Sequence, residues 1–132
     1  MCTDTAIWSP NVVFFRYDNS NLLADPANAS VLTLPAVNYG QTLLKGEDVN
    51  KAETVMFRRM KIALSIFADK GSRHLILGAY GCGVFGNSPH KIAAWRKELL
   101  SEYSGYFDEL VFAVLDRSEK REIFGAFRQE FK

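Results

Sequence analysis

Residues that build metal and redox centres are scarce in this chain, which has two cysteines and two histidines among 132 residues. Cys2 and Cys82 lie far apart and neither belongs to a metal-type pair, so both read as reduced thiols. His74 and His90 are also isolated, with no carboxylate cluster to frame them, and no metal site is expected. Excess charge is missing as well: 16 Lys and Arg stand against 15 Asp and Glu, a net charge of +1. That balance leaves no electrostatic footprint for nucleic acid or for an anionic membrane. The basic cluster Arg58-Arg59-Met60-Lys61 reads as a solvated helix face. No apolar run approaches a membrane span. The segment "MCTDTAIWSPNVVFF" has neither a positive leader nor an unbroken apolar core, so it does not read as a signal peptide. A cytoplasmic location is expected. Repeats, low-complexity tracts and Pro/Gly-rich linkers are absent, which points to one domain over residues 1–132.

What remains is an ordinary globular composition, 48% apolar and 23% charged, sufficient for one core. In the first half, Val12 to Phe15 reads as a strand. "YDNSNLLADPANAS" reads as a loop with Leu22 and Leu23 tucked beneath it. Ser30 to Leu34 reads as a short strand ended by Pro35, and "PAVNYGQTLLKGED" as a connection. The first strong helix is expected from about Lys51 to Lys70, capped by Asn50 with Glu53 completing a capping box. Met56, Met60, Ala63 and Phe67 give its core stripe, widened by Ile62 and Ile66. Gly71 is placed to end it.

The second half alternates strongly. "HLILGA", His74 to Ala79, is a continuous apolar run, as expected of a strand buried on both faces. Ser88 caps the next helix with Pro89 at its first position, and Ile92, Trp95 and Leu99 share one face. Gly105 breaks that helix. Glu109 to Leu115 reads as another buried strand. Ser118 is expected to cap a last helix carrying Ile123, Phe124, Phe127 and Phe131. Strands alternating with helices indicate an α/β sandwich with parallel strands in its core.

Between the strand from His74 and the helix from Pro89 lies "YGCGVFGN", Tyr80 to Asn87. In open α/β sheets, ligands bind beyond the carboxyl ends of strands, and a helix N-terminus attracts anions. Gly81, Gly83 and Gly86 remove Cβ atoms, so the backbone can approach a phosphate and adopt positive φ. Phe85 is a candidate wall for a sugar or base. The plainer alternative is a tight turn needing glycine only for shape; the number of glycines favours phosphate binding. The loop also spells G-x-G-x-x-G, but the helix starts too late and Asp116 lies too far along to hold a ribose, which argues against a dinucleotide turn. No lysine follows the last glycine, so the loop is not a P-loop. Cys82 beside a helix N-terminus could be a reactive thiol, yet a buried packing role fits a lone cysteine better.

The run "LILGAYGCGVFGNSPHKIAAWRKELL", followed by "FDELVFAVLD", resembles the C-terminal half of the microbial-type poly(ADP-ribose) glycohydrolases, a branch of the macrodomain superfamily. "TDTAIWSPNVVFFRYDNSNLLADP" and "SVLTLPAVN" resemble earlier segments of the same half. The resemblance implies an α/β fold, a truncated macrodomain-like three-layer α/β/α sandwich with a mixed sheet. It implies ADP-ribose as ligand and no cofactor. Gly81, Cys82, Gly83, Val84, Phe85 and Gly86 would surround the diphosphate, with Phe85 against the distal ribose and Asn87 closing the loop. Tyr80, Pro35 and Asn38 would lie alongside.

The chain departs from the family at the catalytic signature, a glycine run followed by Gln-Glu-Glu. It has no adjacent glycines, and its only Gln-Glu pair, Gln129-Glu130, continues with Phe131. The acid that would protonate the departing ribosyl oxygen is therefore missing, so no catalytic residue is assigned. The strands resembling "SVLTL" and "HLILGA" would normally flank a third, absent here. They would either pair directly or leave a gap for a second copy or a complementing chain. Three readings follow: an ADP-ribose-binding module inactive alone, an enzyme half completed in trans, or a non-catalytic interaction remnant.

Overall fold

The structure, a computed structural model, describes residues 3–132. Cys2 lies outside the described residues. The element order is β1 (Ile7–Arg16), β2 (Leu22–Thr33), α1 (Tyr39–Leu44), α2 (Val49–Asp69), β3 (His74–Gly78), α3 (Pro89–Glu102), β4 (Glu109–Ala113) and α4 (Glu122–Glu130). The chain divides into two compact units, one ending at Pro35 and one spanning Ala36–Lys132.

The first unit is an antiparallel hairpin of β1 and β2. Its second strand occupies most of the segment expected as a loop, and Leu22, expected to be tucked away, pairs with Arg16 and is 66% exposed. Propensity misled because the strand carries Asn, Asp and Pro. The hairpin tolerates them by breaking register twice, between Ser9 and Val12 and between Phe14 and Arg16. Pro10 falls within the first break and Pro26 beside the second, where a missing ladder donor costs least. Asn11 takes a positive φ of 51° at the first break, a conformation that asparagine accepts more readily than most residues.

The second unit is built on β3 and β4, paired in parallel from His74↔Glu109 to Gly78↔Ala113. Leu75 and Leu77 point into the core with Met56, Met60 and Leu64 of α2, Ile92 and Leu99 of α3, and Phe127 of α4. Each such fully buried side chain contributes roughly 1.5–3 kcal/mol. The other face is open: Ile76 is 75% exposed and Val111 47% exposed. The expectation of strands buried on both faces is thus corrected. A continuous apolar run suits two covered faces, but helices cover only one here. The "SVLTL" strand and β3 do not pair; they lie in separate two-stranded sheets, β1–β2 and β3–β4. Among the described residues, the antiparallel pairing and the parallel pairing thus belong to two separate sheets.

Helix ends differ in detail from expectation. Asp48, not Asn50, caps α2, its Oδ1 accepting from the Asn50 and Lys51 N–H groups at 2.9 and 3.2 Å. Glu53 instead holds Lys91 of α3 at 2.6 Å. Gly71 ends α2 with a φ of +72°, a left-handed conformation that glycine adopts without a Cβ penalty. Ser88 caps α3 through its Oγ, with Pro89 in the first turn. Ser118 does not cap α4. Asp116 does, its Oδ2 accepting from the Ile123 and Phe124 N–H groups at 2.8 and 3.1 Å. Its Oδ1 meanwhile accepts from the Ser118 hydroxyl at 2.6 Å. A carboxylate also suits the positive helix end. Helix α1 was not expected; Asn38 nucleates it, its Oδ1 accepting from the Gln41 N–H at 3.1 Å.

Candidate functional site

The segment Tyr80–Asn87 connects the carboxyl end of β3 to the start of α3. Its shape is fixed by three backbone bonds. The Cys82 N–H donates to the Ala79 carbonyl at 3.0 Å, Gly86 to Gly83 at 2.9 Å and Asn87 to Gly81 at 3.1 Å. Asn87 is 6% exposed. Its Nδ2 donates to the Gly81 carbonyl at 2.9 Å and to the Val37 carbonyl at 2.8 Å. One side-chain amide thus closes the loop and fastens it to the segment leading into α1. A second tie runs from the Gly40 N–H to the Phe85 carbonyl at 3.0 Å.

The glycines play different parts. Gly81 and Gly86 have φ of +75° and +68°. A Cβ on Gly81 would come within 2.6 Å of Asn87 Nδ2 and 2.9 Å of the Ala36 Cβ, so this glycine is demanded by the loop's own closure. Gly83 does not share the positive φ expected of it. A Cβ there would meet nothing within 4 Å. The protein itself has no packing need for glycine at that position. Val84, its neighbour, is 99% exposed, and Phe85 is 38% exposed. The loop therefore presents an open backbone and two apolar side chains at the end of β3.

Cys82 turns inward. It is buried, and burial pushes its thiol up to about 11, against a smaller opposing effect of Arg96. A thiol so protonated at neutral pH is a poor nucleophile, which agrees with its packing role. Tyr80 is half-buried below the loop, with the Arg96 guanidinium carbon 5.8 Å from its ring centre. Asn38 lies two residues from Gly40 and its side chain is committed to capping α1. Pro35 closes the hairpin unit. The structure thus gathers Asn38 and Tyr80–Asn87, together with Val37 and Gly40, which sequence reasoning missed. No motif announces a main-chain tether, so neither residue could have been found by its side chain.

Beside the loop, Tyr39, Glu53, Gly86, Asn87, Ser88 and Lys91 line a cavity of about 190 Å³ with Ile92 and Trp95. Larger hollows, about 830 Å³ at residues 16–22 and about 420 Å³ along residues 58–70 of α2, lie away from the loop in sequence and gather no catalytic constellation. Among the described residues, no group of three or more His, Cys, Asp or Glu side chains is assembled for a metal ion. Among the described residues, no helix is long and apolar enough to cross a membrane. Gln129 and Glu130 lie on α4, where Glu130 pairs with Lys97 at 3.3 Å.

Helices against one side of a parallel strand pair, an antiparallel pair earlier in the chain, and a glycine loop at the strand end match a macrodomain-like α/β fold. No family model matches the chain, and neither does any curated protein. Solved structures do. Poly(ADP-ribose) glycohydrolase from Deinococcus radiodurans in complex with ADP-ribose is 38% identical, with a TM-score of 0.94 over 98% of this chain and 53% of that chain. Its apo form gives 38% identity and a TM-score of 0.91, covering 97% and 53%. The enzyme from Thermomonospora curvata gives 34% identity and a TM-score of 0.83, covering 96% and 47%. By fold and sequence the chain belongs with the bacterial poly(ADP-ribose) glycohydrolases, as the counterpart of their C-terminal half. It spans about half the length of the relatives it matches.

Proposed function

We propose that the chain binds ADP-ribose, or a related ADP-ribosyl group, with the diphosphate seated on the loop Gly81–Asn87. The observation that carries this reading is the loop's division of labour. Gly81 is glycine because the fold leaves no room for a Cβ, whereas Gly83 is glycine with open space around it. Open backbone at a strand end, running into the positive end of α3, suits an anion that must come close. Solved relatives in complex with ADP-ribose support the choice of ligand. Phe85, partly exposed at the loop's far end, supplies the apolar wall for the distal ribose.

Glycosidic cleavage is a separate matter. It calls for a carboxylic acid beside the departing oxygen, and the sole Gln-Glu pair of these 132 residues is engaged on α4. The chain alone therefore binds without cleaving. A second reading, in which another polypeptide completes the enzyme, is favoured by one observation. The parallel pair β3–β4 is open on its Ile76 and Val111 face, whereas parallel strands are ordinarily covered on both.

Thermal shift with ADP-ribose and NADH, together with an assay for ADP-ribose released from the polymer, separates these readings. Stabilisation by ADP-ribose in preference to NADH, with no release, is expected. Release by the purified chain alone would contradict the assignment, and release only on mixing with a second chain would establish complementation.

A further inference from the structure

Arg96 is an anomaly within the core of the second unit. The residue is 4% exposed, and its Nε and Nη1 are buried without a hydrogen-bond partner. A buried guanidinium is normally paired with a carboxylate or saturated by acceptors, because burying a lone charge is costly. Here the nearest compensation is the face of Tyr80, 5.8 Å away, and a cation–π contact offsets only part of that cost. Lys91, the cation at the start of the same helix, is already held by Glu53 at 2.6 Å.

Position gives this charge a use. Tyr80, the ring over which Arg96 lies, opens the glycine loop, and Cys82 beneath the loop feels the Arg96 charge. Burial also pulls the guanidinium down to about 10, which still leaves it charged at neutral pH. Being enclosed, Nε and Nη1 cannot touch a ligand; they act through the loop as a fixed field.

We propose that Arg96 is a buried counter-charge of the loop, a positioning residue that favours a diphosphate seated on Gly81–Asn87 without contacting it. The proposal rests on the loop being the anion site. A fixed charge in water-poor surroundings is little screened and needs no reorganisation when the anion arrives. With an effective dielectric near 20, loss of such a charge should weaken binding of a nearby diphosphate by about tenfold or more.

The test combines two readouts on the 132-residue chain. In Arg96→Met, ADP-ribose should bind about tenfold or more weakly by calorimetry, while the ligand-free protein melts at the wild-type temperature or above it. Removing an unpaired buried charge relieves a cost, whereas removing a structural contact would lower the melting temperature. Arg96→Lys, which keeps the charge, should retain most of the affinity. Unfolding or marked destabilisation of Arg96→Met would overturn the proposal, and so would unchanged affinity. Wild-type protein that fails to bind ADP-ribose would instead remove the loop assignment itself, and the counter-charge with it. A stabilised Arg96→Met of unchanged affinity would mark the charge as awaiting a carboxylate from another polypeptide.

Discussion

Asp116 shows how much of this fold rests on single side chains. Its carboxylate takes two backbone N–H groups of α4 and the Ser118 hydroxyl. Those bonds, led by Ser118, hold it down at about 2, below the model-peptide value of 3.8. A folded-state pKa below the unfolded one contributes stability that is complete above pH 4 and fades as pH falls towards 2. Asp116→Asn should therefore melt below wild type at pH 7. The gap should narrow between about pH 4 and 2, as followed by thermal unfolding across that range. The two loop glycines should part company in the same kind of experiment. Gly81→Ala combines a φ of +75° with a 2.6 Å approach to Asn87 and should cost about 2–4 kcal/mol in urea unfolding. Gly83→Ala should cost under about 1 kcal/mol, because its Cβ enters open space. Sequence alone could not tell these glycines apart. Positive φ and crowding depend on Asn87 and Ala36, which only the folded chain brings to Gly81. Asn87 itself was legible as the residue that ends the loop, while nothing in the sequence singles out Arg96, whose burial only the fold creates.

Elements were legible wherever periodicity and punctuation agreed. The stripe Met56, Met60 and Ala63, the stop at Gly71, and Ser88-Pro89 at the start of α3 all follow from local chemistry, and the structure has them. Failures came where pairing overrode propensity, as in β2, whose Asn, Asp and Pro residues read as a loop. The burial of β3 failed for another reason. "HLILGA" fits a strand covered on both faces, yet the layer over Ile76 is not supplied by the described residues. One-sided packing predicts an asymmetry along the strand. Leu77→Ala, at 5% exposure, should cost about 2–4 kcal/mol in urea unfolding. Ile76→Thr, at 75% exposure, should change stability by under about 0.5 kcal/mol. Equal costs at the two positions would mean that the Ile76 face is covered in solution.

At the scale of the whole molecule, the chain matches its solved relatives over nearly all of its own length and about half of theirs. The loop Gly81–Asn87, proposed here as the ADP-ribose site, belongs to the matched part. It is preorganised by Asn87 and by the Gly40–Phe85 tie, neither of which depends on further chain. A loop held open before the ligand arrives avoids part of the ordering cost of binding, which is why binding is expected without catalysis. The account is tested most directly by calorimetric titration of the 132-residue chain with ADP-ribose, side by side with Gly83→Val. Saturable one-to-one binding by the wild type, lost or weakened at least tenfold in a folded Gly83→Val, is the predicted result. No heat at millimolar ADP-ribose, or undiminished binding by Gly83→Val, would contradict it.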